Sequence, residues 1–120
     1  MILVDTNAWV HHLRSTDARL VGFLREGRVR TCDVVLGELL LAAGLPKGFA
    51  KDLAALPRLP SPRPGETREF VERHRRSFAG SGVGWADAQI LHAAANAGAR
   101  IHTADRAVRR TAKLVGVPIA

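Results

Sequence analysis

At 120 residues the chain has room for one hydrophobic core but not two, and 47% apolar residues suit a folded domain rather than a disordered one. Eighteen Lys and Arg against eleven Asp and Glu give a formal charge of +7, which favours a polyanionic partner. One cysteine, Cys32, excludes an internal disulfide and a cysteine-built zinc site.

Taken in order, Met1 to Val4 reads as a short buried strand, and residues 7–14 as a helix after the turn residues Thr6 and Asn7. Residues 16–26 read as a second helix, with Leu20, Phe23 and Leu24 at helical spacing and Gly27 as its stop. A strand is expected over 28–32, then a helix capped by Asp33 and running to about Ala43, before Gly44 and Pro46. Residues 47–56 suggest a short helix. Four prolines between Pro57 and Pro64 allow a loop or an edge strand. A charged helix over 65–78 leads into the glycine-rich link 80–84. Helix 85–97, strand 99–103, helix 105–114 and a closing strand Val117 to Ile119 complete the chain. Alternation of this kind predicts a three-layer α/β/α sandwich on a mainly parallel sheet, one domain over 1–120.

No signal peptide is expected, since Asp5 interrupts the first apolar run, and no stretch nears the roughly 18 apolar residues of a membrane span. No membrane contact and a cytoplasmic location are the expectation.

Four acids stand where solubility does not explain them. Asp5 follows a buried strand and Asp105 follows another, at the edge where parallel sheets bind ligands, although helix capping explains both as well. Glu38 shares a predicted helix face with Val34, Leu41 and Ala42. Asp87 heads the stripe Ile90, Leu91 and Ala94; the helix dipole explains an acid in the first turn but not an inward one. Four carboxylates about 5 Å apart would repel by roughly 20 kcal/mol in six pairs at an effective dielectric near 20. Protons or a divalent cation must relieve that, and an all-oxygen site suits Mg²⁺ or Mn²⁺.

Val4-Asp5-Thr6-Asn7, Gly37-Glu38-Leu39, Trp85-Ala86-Asp87-Ala88-Gln89-Ile90 and Thr103-Ala104-Asp105-Arg106 resemble, in that order, the motifs of the PIN-domain family. The short form is similar to the VapC toxins of toxin–antitoxin pairs. That resemblance implies a PIN-like fold and a metal site made by Asp5, Glu38, Asp87 and Asp105, with Thr6, Asn7 and Thr103 supporting it by hydrogen bonds. It implies a Mg²⁺- or Mn²⁺-dependent endoribonuclease that leaves a 5′-phosphate and a 3′-hydroxyl, an antitoxin protein as partner, and a homodimer. Arg106 and Val108 depart from the commoner end of the last motif, where an aromatic often follows.

Arginines around the acids are the expected RNA contacts: Arg106, Arg109, Arg110 and Lys113 on the last helix, and Arg68, Arg73, Arg75 and Arg76 on the charged one, which Glu66, Glu69 and Glu72 dilute. The histidines lack paired metal spacing, which argues against zinc. Trp9 and Trp85 are expected in the core or an interface. A receiver-type phosphoacceptor would need a lysine near the last strands, and a dehalogenase-type phosphatase would need Asp where Asn7 stands. The competing reading is a PIN-like module that binds RNA or protein without cleaving it.

Overall fold

A computed structural model describes residues 1–120. Three parallel strands, β1 (Ile2–Val4), β2 (Val29–Arg30) and β3 (Arg100–His102), lie in the order β2-β1-β3. Ile2 pairs with Val29 on one side and Arg100 on the other, so the first strand of the chain is the middle of the sheet. Ile2, Leu3 and Val4 are wholly buried, as an uninterrupted apolar run between two helical layers requires. Single bridges at Arg58 beside Thr31 and at Ile119 beside Ile101 extend the sheet outward on both edges.

Eight helices connect these strands: α1 (Thr6–Arg14), α2 (Ala18–Arg25), α3 (Asp33–Leu41), α4 (Phe49–Ala54), α5 (Pro64–Arg73), α6 (Arg75–Phe78), α7 (Trp85–Ala97) and α8 (Arg106–Leu114). Right-handed crossovers put the helices of the β1-to-β2-to-Arg58 path on one face and those of the return path on the other. In the packing, α1 and α4 lie against α3, α5 packs on α7 and α6 on α8, and the two groups meet where α3 touches α7. The result is the α/β/α sandwich. One apolar cluster fills it, built on the strands, Trp9, Leu39, Phe70 and the α7 residues Ile90, Leu91 and Ala94.

Several expectations needed correction. The charged stretch 65–78 is two helices, parted at His74, whose φ of −108° and ψ of 28° leave the helical region. Cys32, not Asp33, is the N-cap of α3; Asp33 is its first helical residue, and the helix stops at Leu41. The strand expected over 28–32 forms ladder pairs only at Val29 and Arg30, and the closing strand is reduced to the Ile119 bridge. Of the two tryptophans expected in the core or an interface, Trp9 is core, and Trp85 is 50% exposed and so lies outside it. No helix is long and apolar enough to cross a membrane.

Candidate metal centre

At the carboxyl ends of β1 and β3 the first three residues after β1 organise an acidic cluster, the counterpart of the expected hollow. Asp5 ends the strand and caps α1, its Oδ1 accepting the Ala8 N–H at 3.0 Å. Its Oδ2 accepts the Thr103 hydroxyl at 2.5 Å. Thr6 donates its hydroxyl to Glu38 Oε1 at 2.6 Å, which turns α3 toward the same place. Asn7 donates from Nδ2 to Asp105 Oδ2 at 3.4 Å. Asp5, Thr6 and Asn7 therefore bring in β3, α3 and α8, one residue each.

Asp105 caps α8, its Oδ1 accepting the N–H groups of Ala107 and Val108 at 2.8 and 3.0 Å. Asp87 sits in the first turn of α7, held inward because Ile90, Leu91 and Ala94 behind it are buried. Glu38 reached the hollow by a route its sequence pattern misstates. Leu41, taken as part of its apolar face, is 90% exposed, and the buried face of α3 is Val35 and Leu39. Glu38 is half-buried and its direction comes from Thr6.

Two of the four carboxyls feel burial and the negative charge of the others. Burial, then the charges of Asp5, Glu38 and Asp105, push the Asp87 carboxyl up to about 6; a hydrogen bond from Gly84 opposes them. Burial also raises Asp5, against the hydrogen bonds of Thr103 and Ala8, and Asp105 adds to the rise. No Lys, Arg or His makes an ion pair within 4 Å of any of the four. Asp5 is 1% exposed, so its charge has neither water nor a cationic side chain to balance it.

That imbalance is what a cation would relieve, and the donor set is oxygen only, which suits Mg²⁺ or Mn²⁺. The side chains do not form a closed cage: no group of three or more His, Cys, Asp or Glu has metal-ligating geometry. Mg²⁺ tolerates such an open arrangement because it keeps several waters and takes one or two carboxylates directly.

Around the hollow, Arg106, Arg109, Arg110 and Lys113 are all exposed on α8. Only Arg109 turns back to the strand end, donating from Nη2 to the Thr103 carbonyl at 3.1 Å. On α5, Arg68 pairs with Glu72 at 3.6 Å on an open surface, an interaction of little consequence. His92 is a buried structural histidine, bonded to Thr67 at 3.0 Å and stacked on Phe70. One pair had no sequence signature: His102 Nε2 lies 2.7 Å from Asp17 Oδ2. Asp17 could be foreseen only as the N-cap of α2, which it also is.

Comparison with known proteins identifies the family and the fold. The model of the PIN domain matches residues 2–114. Ribonuclease VapC32, from two strains of Mycobacterium tuberculosis, is 36% identical over 122 residues, spanning 100% of this chain and 97% of the relative. The crystal structure of FitAcB from Neisseria gonorrhoeae superposes with a TM-score of 0.61 at 20% identity, covering 99% of this chain and 96% of that one. At that identity the likeness concerns the fold.

Proposed function

The chain belongs to the PIN-domain family, and from that premise we propose that it is a metal-dependent endoribonuclease, the toxin of a toxin–antitoxin pair. Residues 1–120 act as one nuclease unit. Its partners are RNA, a cognate antitoxin protein and a second copy of itself, and it works in the cytoplasm. The observation that carries the reading is the reach of Asp5, Thr6 and Asn7 to Thr103, Glu38 and Asp105, which gathers uncompensated carboxylates at one strand edge.

Asp5 and Asp87 would hold Mg²⁺ or Mn²⁺, with Glu38 and Asp105 completing the site directly or through water. When bound, the ion supplies Lewis-acid activation of water and neutralises charge at the phosphoryl group. The protein's own part follows from which oxygens are committed. Asp105 has both engaged, Oδ1 by α8 and Oδ2 by Asn7. Glu38 has Oε1 on Thr6 and its other oxygen open, so Glu38 is placed to orient the attacking water and receive its proton. Water adds to phosphorus, the bond to the 3′ oxygen breaks, that oxygen takes a proton from solvent, and the products carry a 5′-phosphate and a 3′-hydroxyl. The ribose 2′-hydroxyl takes no part, so RNA preference lies in binding, to which Arg106, Arg109, Arg110 and Lys113 contribute charge.

The test is cleavage of single-stranded RNA by the purified chain with Mg²⁺ or Mn²⁺, with EDTA, and by Asp5→Ala. Cleavage with 5′-phosphate ends, lost in EDTA and in the variant, is the expected result. Binding without cleavage under either ion would overturn it.

A further inference from the structure

A cleft of about 520 Å³ opens beside the hollow, between the α1–α2 turn and the start of α8. Ala8 and Thr103 line it, and these are the residues whose N–H and O–H hold Asp5. Cleft and hollow therefore share a wall.

Two arginines, Arg19 and Arg109, and two histidines, His11 and His102, stand among the rest of the lining with Asp17, Thr16 and two alanines. Arg109 stands one turn beyond Asp105 on α8, and His11 one turn beyond Asn7 on α1. Four helical residues advance about 6 Å. Asn7 and Asp105 touch at the strand end, and His11 and Arg109, one turn further along their helices, both line the cleft. Arg109 is fixed there by its bond to the Thr103 carbonyl, which leaves the other guanidinium N–H groups open. Arg19, in the first turn of α2, forms the far rim with its guanidinium 5.7 Å from the Phe23 ring centre.

One acid, Asp17, lines the cleft, and both its oxygens are committed to other partners. Asp17 Oδ1 accepts the N–H groups of Arg19 and Leu20, and Oδ2 is bonded to His102. Neither Arg19 nor Arg109 has an ion-pair partner. Two unpaired guanidinium groups in a concave site one helical turn from the hollow are suited to a phosphate diester.

The geometry points to a second phosphate subsite for single-stranded RNA in this cleft, taking the phosphodiester next to the scissile one on Arg109 and Arg19, with His11 at its edge. The inference rests on the ribonuclease reading of the hollow. It separates Arg109 from Arg106, Arg110 and Lys113, which do not line the cleft. A phosphate that does not react is held equally in the ground and transition states, so the subsite sets KM and register rather than the chemical step.

Arg19→Gln, Arg109→Gln and the double variant of the full chain test it on one short single-stranded RNA, with Arg25→Gln as an exposed α2 control outside the cleft. Each single variant is expected to raise KM about tenfold with kcat near wild type, as loss of a charged hydrogen bond implies. The slope of log KM against log salt should flatten by about 0.7 per lost contact. Arg19→Lys and Arg109→Lys should restore most of that slope. KM and slope equal to those of Arg25→Gln would overturn the subsite, as would a loss confined to kcat. If the wild type does not cleave RNA at all, the ribonuclease reading fails on its own. Fluorescence anisotropy of the labelled RNA in EDTA then judges the cleft separately: tenfold weaker binding by the double variant supports it, and unchanged binding overturns it.

Discussion

The Thr103 hydroxyl donates to Asp5 across 98 residues of sequence, and its oxygen also accepts the Asp105 N–H at 3.0 Å. One side chain thus fixes the end of β3, the orientation of a buried carboxylate and the entry to α8. Thr103→Val keeps the shape and removes the donor. Leaving Asp5 Oδ2 unpaired should cost about 1–3 kcal/mol, or a drop of about 4 °C in Tm for each kcal/mol. Affinity for Mn²⁺ should fall about 10- to 100-fold, as when an outer partner of a ligand is lost. Thermal unfolding and calorimetric titration check both, and Thr103→Ser should behave as wild type.

Asp87→Asn should separate activity from stability. It removes a charge that three neighbouring carboxylates disfavour, so the metal-free variant is expected to melt higher than wild type. RNA cleavage should fall by at least about 100-fold, since an amide replaces an anionic oxygen at the ion. Melting in EDTA beside a single-turnover assay decides it. A lower Tm with cleavage intact would reverse the assignment of this residue.

The pH dependence of stability has a definite sign. The folded-state pKa of Asp87 lies near 6, above its ordinary 3.8, so its contribution is fully present below about pH 4 and is lost as pH rises through 6. Solvent screening at a part-exposed group leaves about 1 kcal/mol of the full linkage. His92 acts in the opposite sense: burial, with Arg73, depresses its pKa, so stability falls as pH drops below the ordinary histidine value. The difference in urea midpoint between wild type and Asp87→Asn isolates the carboxylate. In EDTA the advantage of the variant should grow from pH 5 to pH 7.5.

Divalent ions should reverse that trend. At 100 times its Kd, an ion that binds only the folded state adds about 2.7 kcal/mol. Wild type should therefore gain in Tm with Mn²⁺ at pH 7.5, gain less at pH 5 where protons compete, and gain little in Asp87→Asn. Differential scanning fluorimetry across the three conditions measures this.

How much of this was legible depended on whether the cause was local. Helix 85–97 was readable to its last residue because Gly84 precedes it and Gly98, at φ 64°, ends it. The parallel sheet followed from alternation, and the inward direction of Asp87 from the spacing of Ile90, Leu91 and Ala94. Glu38 was noticed for a face that is not the buried one, since periodicity cannot tell which side of an all-apolar helix meets the core. The break at His74 was hidden because the stretch 65–78 keeps helical composition across it. Asp17 with His102, and the cleft they border, arise from contacts 85 residues apart that no spacing rule reports.

The placement of β1 bears on synthesis. The strand is made before β3, yet it cannot complete its pairing until Arg100 to His102 follow, and distant pairing of this kind closes late. Asp5 waits for Thr103, and Asn7 waits for Asp105. A chain translated only as far as α7 is thus unable to assemble the acidic site.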